Sequence, residues 1–515
     1  MSRISAACAE LPALGPGIIW STAIEPLLEN RPELFPVVEL EPQTTWVRTG
    51  EQARPYRMDR EVLHRLQRFP GRKLVHSVGA PVGGTIRPEP VQLALLAETI
   101  GMLDVPWASE HLSFNHTPDF ATGFLLPPRQ TADGIALAAR SIGDLQRALP
   151  VPVAIETGVS YLRPRADEMS DAAFVRGVVE RADCGLLLDL HNVWCNSVNG
   201  RQDIDAYLAA VPLERVWEIH LAGGFEMEGF WLDAHSGCIP DALYALAERL
   251  VPQLPNLRAV VFEIFPSFVP VVGLDLVQAQ MERLQALWDL RRPVQATPLP
   301  SRPVEISTRQ GVTPAQWERA LGSAVLGRSS GDELGEELLQ EPGVRIVQQL
   351  VHEFSASMIV RVLNLTARLL MLTLGPPAFR TLLADFWARG TPQMYANCEA
   401  EAFGDYLAGL DLGVPHLASV LAFERASVRT LVDGKTRIVA FEVEPLPLLR
   451  ALADGRLPVE PGRLGSYEIE ITPEDVDAMA AGDFRRGSTG TPPAERRAGP
   501  DQPPRNGNRA IGSAA

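Results

Sequence analysis

The chain has 515 residues, 46% of them hydrophobic, enough for two or three domains each with its own core. Its 63 acidic against 47 basic residues leave a formal net charge of -16. That field repels a phosphate backbone and no basic stripe interrupts it, so nucleic acid is excluded as a partner.

Five scattered cysteines with no CxxC pair argue against a disulfide scaffold or a zinc ribbon. The opening MSRISAACAELPALGPG has no continuous apolar run of the secretory kind, and the expected compartment is the cytoplasm. Residues 1–14 read as an N-terminal extension. Short β-rich runs then follow in series: GIIWST at 17, VVELEP at 37, KLVHSVG at 73, PWASEHLS at 106, VPVAIETG at 151, GLLLDLHN at 185, VWEIHLAG at 216 and AVVFEIFP at 259. Most gaps hold apolar residues at i, i+3, i+4, as in PVQLALLAETIGML and DAAFVRGVVERA. Alternating nearly continuous apolar strands with helices predicts a parallel sheet closed as a (β/α)₈ TIM barrel over residues 15–292.

The Pro-rich stretch 293–311 reads as a linker. Residues 312–483 read as a mainly helical second domain with a few strands, TRIVAFEVEP at 436 and GSYEIEIT at 465. Thr313 and Pro314 suit an N-cap and first helical position. The apolar run MIVRVLNLTARLLMLTLG from 358 carries Arg361 and Arg368 on one face, which predicts an amphipathic helix and no membrane partner. Residues 484–515, rich in Gly, Pro, Arg and Ser, read as a disordered tail.

Polar residues fall where these strands end: His76 on the third, Glu110 and His111 on the fourth, Glu156 on the fifth, and Asp189, His191 and Asn192 on the sixth. Glu218 and His220 lie on the seventh, Asp233 and His235 in the loop after it, and Glu263 on the eighth. A single His or Glu at a strand end is ordinarily solvated or hydrogen-bonded, but a barrel brings all its strand C-termini to one rim. Carboxylates crowded there repel unless a cation compensates them, and imidazoles interleaved with carboxylates suit iron, manganese or zinc. Eight candidates (His76, His111, Glu156, Asp189, His220, Asp233, His235, Glu263) exceed the needs of one ion, so more than one is expected. Glu110 and Glu218 are expected to orient their His neighbours or to pack in the barrel. Cys195 and Cys238 read as small buried hydrophobes, while Trp194, Phe225, Phe230 and Trp231 fall in rim loops where they could line a substrate pocket. His64, His116, His352 and His416 read as structural.

The ordered motifs SEHLS, AIETGVSYL, GLLLDLHNVW, EIHLAGG, DAHSGCIPD and FEIF, after GIIWSTAIEPLLENRP, give the chain a specific resemblance to the DUF692 family over about residues 15 to 285. These are multinuclear non-heme iron-dependent oxidative enzymes, including methanobactin-type oxidases, that modify ribosomally made peptides. The resemblance implies two or three irons, O₂ as co-substrate, and a precursor peptide usually modified at cysteine. It places the metal ligands on His76, His111, Glu156, Asp189, Asn192, His220, Asp233, His235 and Glu263. Glu156, Asp189 and His235 are expected to act in the chemistry, with His191, Glu110, Glu218, Trp194 and Trp231 supporting the ligands or lining the pocket. Departures from the family pattern are Thr157 and His191 where Asn is usual, Phe265 where Asp is frequent, and Gln43-Thr44 in place of Glu-Asn.

AFRTLLADFWARGTPQMY at 378 and PHLASVLAFERASVRTL at 415 give the second domain a weaker likeness to DUF2063-type partner proteins. That likeness implies peptide recognition and an intramolecular contact with the barrel. The expected function is therefore an iron-dependent, O₂-using peptide oxidase. The alternatives are a divalent-metal hydrolase or isomerase of the endonuclease or sugar-isomerase kind, and a non-catalytic binding scaffold.

Overall fold

The computed structural model describes residues 10–292, 311–459, 462–480 and 496–497. Most of the proposed linker and tail lie outside them. The described chain forms two compact units, Met1–Met358 with Asp385–Glu399, and Ile359–Ala384 with Ala400–Ala515.

In the first unit all eight expected strands are present: β1 (Gly15–Ile19), β2 (Val37–Leu40), β3 (Arg72–Ser77), β4 (Ala108–His111), β5 (Val153–Glu156), β6 (Gly185–Asp189), β7 (Val216–Ala222) and β8 (Ala259–Glu263). Each pairs in parallel with its sequence neighbours, and β1 pairs with β8 to close the barrel. Strands buried on both faces have no solvent side to mark with polar residues, hence their unbroken apolar runs. Ile18, Val38, Val75, Ile155, Leu187, Ile219 and Val261 are at most 1% exposed.

Helices return the chain between strands, several started by a side-chain cap: Thr131 accepts from the Gly134 N–H, Ser170 from Ala173 and Asp203 from Ala206. At the start of β6 glycine is required by close approach, since a Cβ on Gly185 would stand 2.4 Å from the buried Trp217 ring.

The helices Pro314–Val325 and Glu333–Leu339 also belong to the first unit. Thr313 caps the former through a reciprocal box with Gln316, and Pro314 takes its first turn. Trp317 Nε1 donates to Pro127 O at 2.9 Å, and Trp317, Leu321, Val344 and Val347 share a core with Phe114, Leu126 and Tyr161. The first unit therefore runs beyond the 312 boundary expected from composition.

The second unit is mainly helical around an antiparallel pair, β9 (Arg437–Val443) and β10 (Leu464–Ile471). Its core gathers Leu365, Leu369, Val420, Phe423, Val439, Phe441, Leu448, Leu452 and Ile469. The run expected as one amphipathic helix is broken. One helix ends at Val362 and the next spans Asn364–Leu374. The reason is Glu424, whose carboxylate accepts from Leu365 N at 2.7 Å and Thr366 N at 2.8 Å, supplying a new N-terminus with acceptors. No single helix among the described residues is long and apolar enough to cross a membrane.

Candidate metal centre

Strand register sets the site. His111 on β4 lies beside Glu156 on β5, Asp189 on β6 beside His220 on β7, and Ala222 on β7 beside Glu263 on β8. Parallel strands ending at one rim therefore put these side chains in one buried cluster.

Both His76 and His111 turn Nε2 toward the same oxygen of Glu156, at 3.2 and 2.7 Å from Oε2. Their other nitrogens are held from behind, His76 Nδ1 by Ser109 Oγ at 2.8 Å and His111 Nδ1 by the Ser77 carbonyl at 3.1 Å. A carbonyl only accepts, so His111 carries its proton on Nδ1 and leaves Nε2 facing the cluster. His220 Nδ1 lies 3.0 Å from Glu263 Oε1 and 4.0 Å from Glu156 Oε1. His235 Nε2 lies 3.0 Å from Asp233 Oδ1 and 3.4 Å from Glu263 Oε2. His235 adopts φ 45°, a left-handed conformation uncommon for a side-chain-bearing residue, and its carbonyl accepts from Phe265 N at 3.0 Å.

Two corrections concern local structure. His191 and Asn192 do not end β6; they lie in the first turn of a helix, Leu190–Val198, because Asp189 caps it by accepting from Asn192 N at 2.7 Å. Trp194 is on that same helix, and Phe225, Phe230 and Trp231 lie on a β-hairpin, Phe225–Met227 with Phe230–Leu232, rather than in loops. Glu228 and Gly229 at its tip both have positive φ, 50° and 81°, the pattern of a tight type I′ turn.

Glu110 turns away from the cluster, as strand alternation predicts. It accepts from Ser77 Oγ at 2.5 Å, Ala80 N at 3.0 Å and His111 N at 2.8 Å. Glu218 accepts from Trp107 Nε1 at 2.9 Å, with its other oxygen 3.7 Å from His220 Nε2. Of the four histidines read as structural, His64 is exposed on a helix and His352 stacks on Trp387.

Two carboxylates escaped the sequence reading. Glu39 on β2 is fully buried, with Oε2 3.0 Å from His220 Nε2. Glu41, just past β2, feels the charges of His76, Glu263, His235 and His111. The available signal was a lone Glu inside VVEL, where a strand buried on both faces has no outward side for a charge.

The electrostatics are those of a cation site. Burial first, then the charges of Glu263, Glu156 and Asp233, raise Asp189 well above the carboxylate range. Burial likewise pushes Glu39 up to about 7, with help from Glu218. Glu156 goes the other way: against its desolvation, the charges of His111 and His76 hold it well below its usual range. Burial opposes a proton on His235, but Asp233 and Glu263 raise it to about 10.

Carboxylate charge thus favours protons on His111, His220 and His235, and imidazole charge favours the ionised Glu156. Glu156 Oε2, Asp189 Oδ2, Asn192 Oδ1, His220 Nδ1, His235 Nε2 and Glu263 Oε2 are nevertheless buried without a hydrogen-bond partner. Atoms this close and this dry, yet not in hydrogen-bonding geometry, fit donors that converge on metal ions. His76, Glu156 and His220, likewise Glu156, Asp189, His220 and Glu263, and also Glu39, Glu218 and His220, each offer one ligand atom within 4.8 Å of the others.

Fold and site together define a TIM-barrel protein with an extended candidate metal centre at its C-terminal rim. Residues 25–280 match the family model of the RiPP precursor modification enzymes MbnB/TglH/ChrH, and the chain belongs to that family. It is similar to a UPF0276 protein of Chromobacterium violaceum, 32% identical over 213 residues, covering 41% of this chain and 76% of that one. A UPF0276 protein of Streptomyces avermitilis is 33% identical over 254 residues, covering 47% of this chain and only half, 50%, of that protein's length. Among solved structures, the TTHB071 protein from Thermus thermophilus, soaked with ZnCl₂, is 19% identical with a TM-score of 0.34, covering 54% of this chain and 99% of that one.

Proposed function

We propose that this chain is a multinuclear iron-dependent oxidase that modifies residues, cysteine first among them, of a ribosomally made precursor peptide with O₂ as oxidant. The observation that carries the reading is the buried set of imidazole and carboxylate atoms left without hydrogen-bond partners, in a chain of this family. His76, His111, Glu156, Asp189, Asn192, His220, Asp233, His235 and Glu263 would hold two or three irons, with Glu156, Asp189 and His235 acting in the chemistry. Bound iron supplies Lewis acidity toward a thiol and redox partnership with O₂.

The chain's own work is orientation and exclusion of water. Ser109 and the Ser77 carbonyl fix the His76 and His111 rings, and the apolar barrel wall keeps Asp189 and His220 fully buried. Trp194 and Trp231, edge to face at 5.2 Å, and Phe265, at 4.6 Å from the His235 ring, offer apolar surface for a peptide side chain. Residues 312–483 are proposed to receive the precursor peptide, which one chain would deliver at high effective concentration.

The test is metal analysis of the purified protein joined to oxygen uptake. Bound iron, with O₂ consumed only when a Cys-containing peptide encoded beside this chain is added, supports the reading. A zinc-only protein inert toward such peptides and O₂ overturns it.

A further inference from the structure

The residue at 191 departs from the Asn usual in the family, and its surroundings show what a histidine does there. Trp231 Nε1 donates to His191 Nε2 at 3.2 Å, and His191 Nδ1 stands 2.8 Å from Asp233 Oδ1. An indole N–H can only donate, so His191 Nε2 must be a bare acceptor. The ring's proton then sits on Nδ1, where the Asp233 carboxylate is the near acceptor. Neither ring nitrogen is left for a metal.

The relay is anchored at each end. Asn199, which closes the helix carrying His191, brackets the Trp231 backbone by accepting from its N–H at 2.7 Å and donating to its carbonyl at 2.9 Å. Trp194 stacks on the His191 ring, and Cys195 Sγ packs 3.6 Å from Nε2. Asp233 N donates to Tyr161 Oη at 3.0 Å. The donors on β6 and those of the loop after β7 are thereby tied through one imidazole.

We propose that His191, fixed in its Nδ1–H form by the Trp231 indole, is a positioning residue that holds the Asp233 carboxylate in the orientation a metal ion requires. The proposal rests on the reading of Asp233 as a ligand. Hydrogen bonds of this kind behind a ligand typically change metal affinity by about 10- to 100-fold.

Anaerobic Fe(II) titration of the full chain, wild type against Trp231→Phe, His191→Ala and the double variant, tests it alongside ¹⁵N-histidine NMR. Each single variant is expected to bind one equivalent of Fe(II) about 10-fold or more weakly. The double variant should bind no worse than His191→Ala, because both act through one relay. In the wild type the ring signal that disappears in His191→Ala should be that of the Nδ1–H tautomer, and it should move in Trp231→Phe. Should His191→Ala fail to fold, Trp231→Phe, which keeps an aromatic ring in place, decides alone. Wild-type Fe(II) affinity in a folded Trp231→Phe overturns the proposal, as does a lowered melting temperature with no change in affinity. A wild type that binds no Fe(II) sinks the ligand reading of Asp233, and this proposal with it; metal binding that persists in wild type and variants alike sinks the relay only.

Discussion

Glu39 Oε2 lies 3.0 Å from His220 Nε2, across the ring from the Nδ1 that faces Glu263. Neither atom is in hydrogen-bonding geometry, but the charge of a fully buried carboxylate there favours a proton on Nε2 and leaves the other nitrogen's lone pair toward the rim. Glu39→Gln keeps the shape and removes the charge. It should weaken metal binding by about 10- to 100-fold, read by competition with a chelator. Unchanged affinity would show that the His220 ring is set by packing alone.

Metal binding should expel protons. Carboxylate neighbours raise His111 and His220 well above the usual imidazole range and His235 to about 10, against their burial, so at neutral pH these rings hold protons that a ligating nitrogen must lose. Apparent affinity should therefore climb as pH rises from about 6 to about 8. Calorimetric titrations in buffers of different ionisation enthalpy should reveal net proton release. A heat independent of buffer would contradict this. Chelation should lower the melting temperature, a loss of about 4 kcal/mol where free metal stood a thousandfold above its dissociation constant.

The barrel was legible because parallel strands buried on both faces leave unbroken apolar runs, and the rim donors because they interrupt those runs at the C-terminal end. Glu39 was harder to find: within VVEL it looks like the polar half of an alternating strand, and only closure of the barrel shows that its side chain faces inward. His191 and Asn192 looked like strand residues until Asp189, capping the next helix, turned the chain after itself. The break at Leu363 depends on Glu424, far along the sequence, and no local pattern announces it.

Glu318 ties the helix Pro314–Val325 to the loop after β3. It is 1% exposed, accepts from Thr85 N at 2.8 Å and also pairs with the Thr85 hydroxyl. Glu318→Ala strands a Thr85 N–H in a dry setting and should cost about 2 kcal/mol, more than the bond's net worth, because the donor is left unmet. Faster hydrogen exchange at Thr85 and through residues 314–325, with the barrel strands unchanged, is the expected signature. Uniform exchange across the unit would argue against a local tie.

Glu424 should make the second unit's stability fall as pH rises. Burial pushes its carboxyl up to about 7 from 4.5, against the Thr366 and Leu365 donors that favour the charged form. Between those values the folded chain keeps a proton that the unfolded chain has lost. The contribution is thus complete below the unfolded value of 4.5 and is lost as pH climbs to about 7, the folded value. Glu424→Gln cannot ionise and should remove this slope, at a cost of about 1 kcal/mol for the poorer acceptor at the helix start. Amide exchange at Leu365 and Thr366, followed from about pH 5 to about pH 8 and corrected for the intrinsic rate, reads the effect where it arises. Equal slopes in wild type and Glu424→Gln would mean that the carboxylate stays charged throughout, stabilised by the two backbone N–H groups it caps.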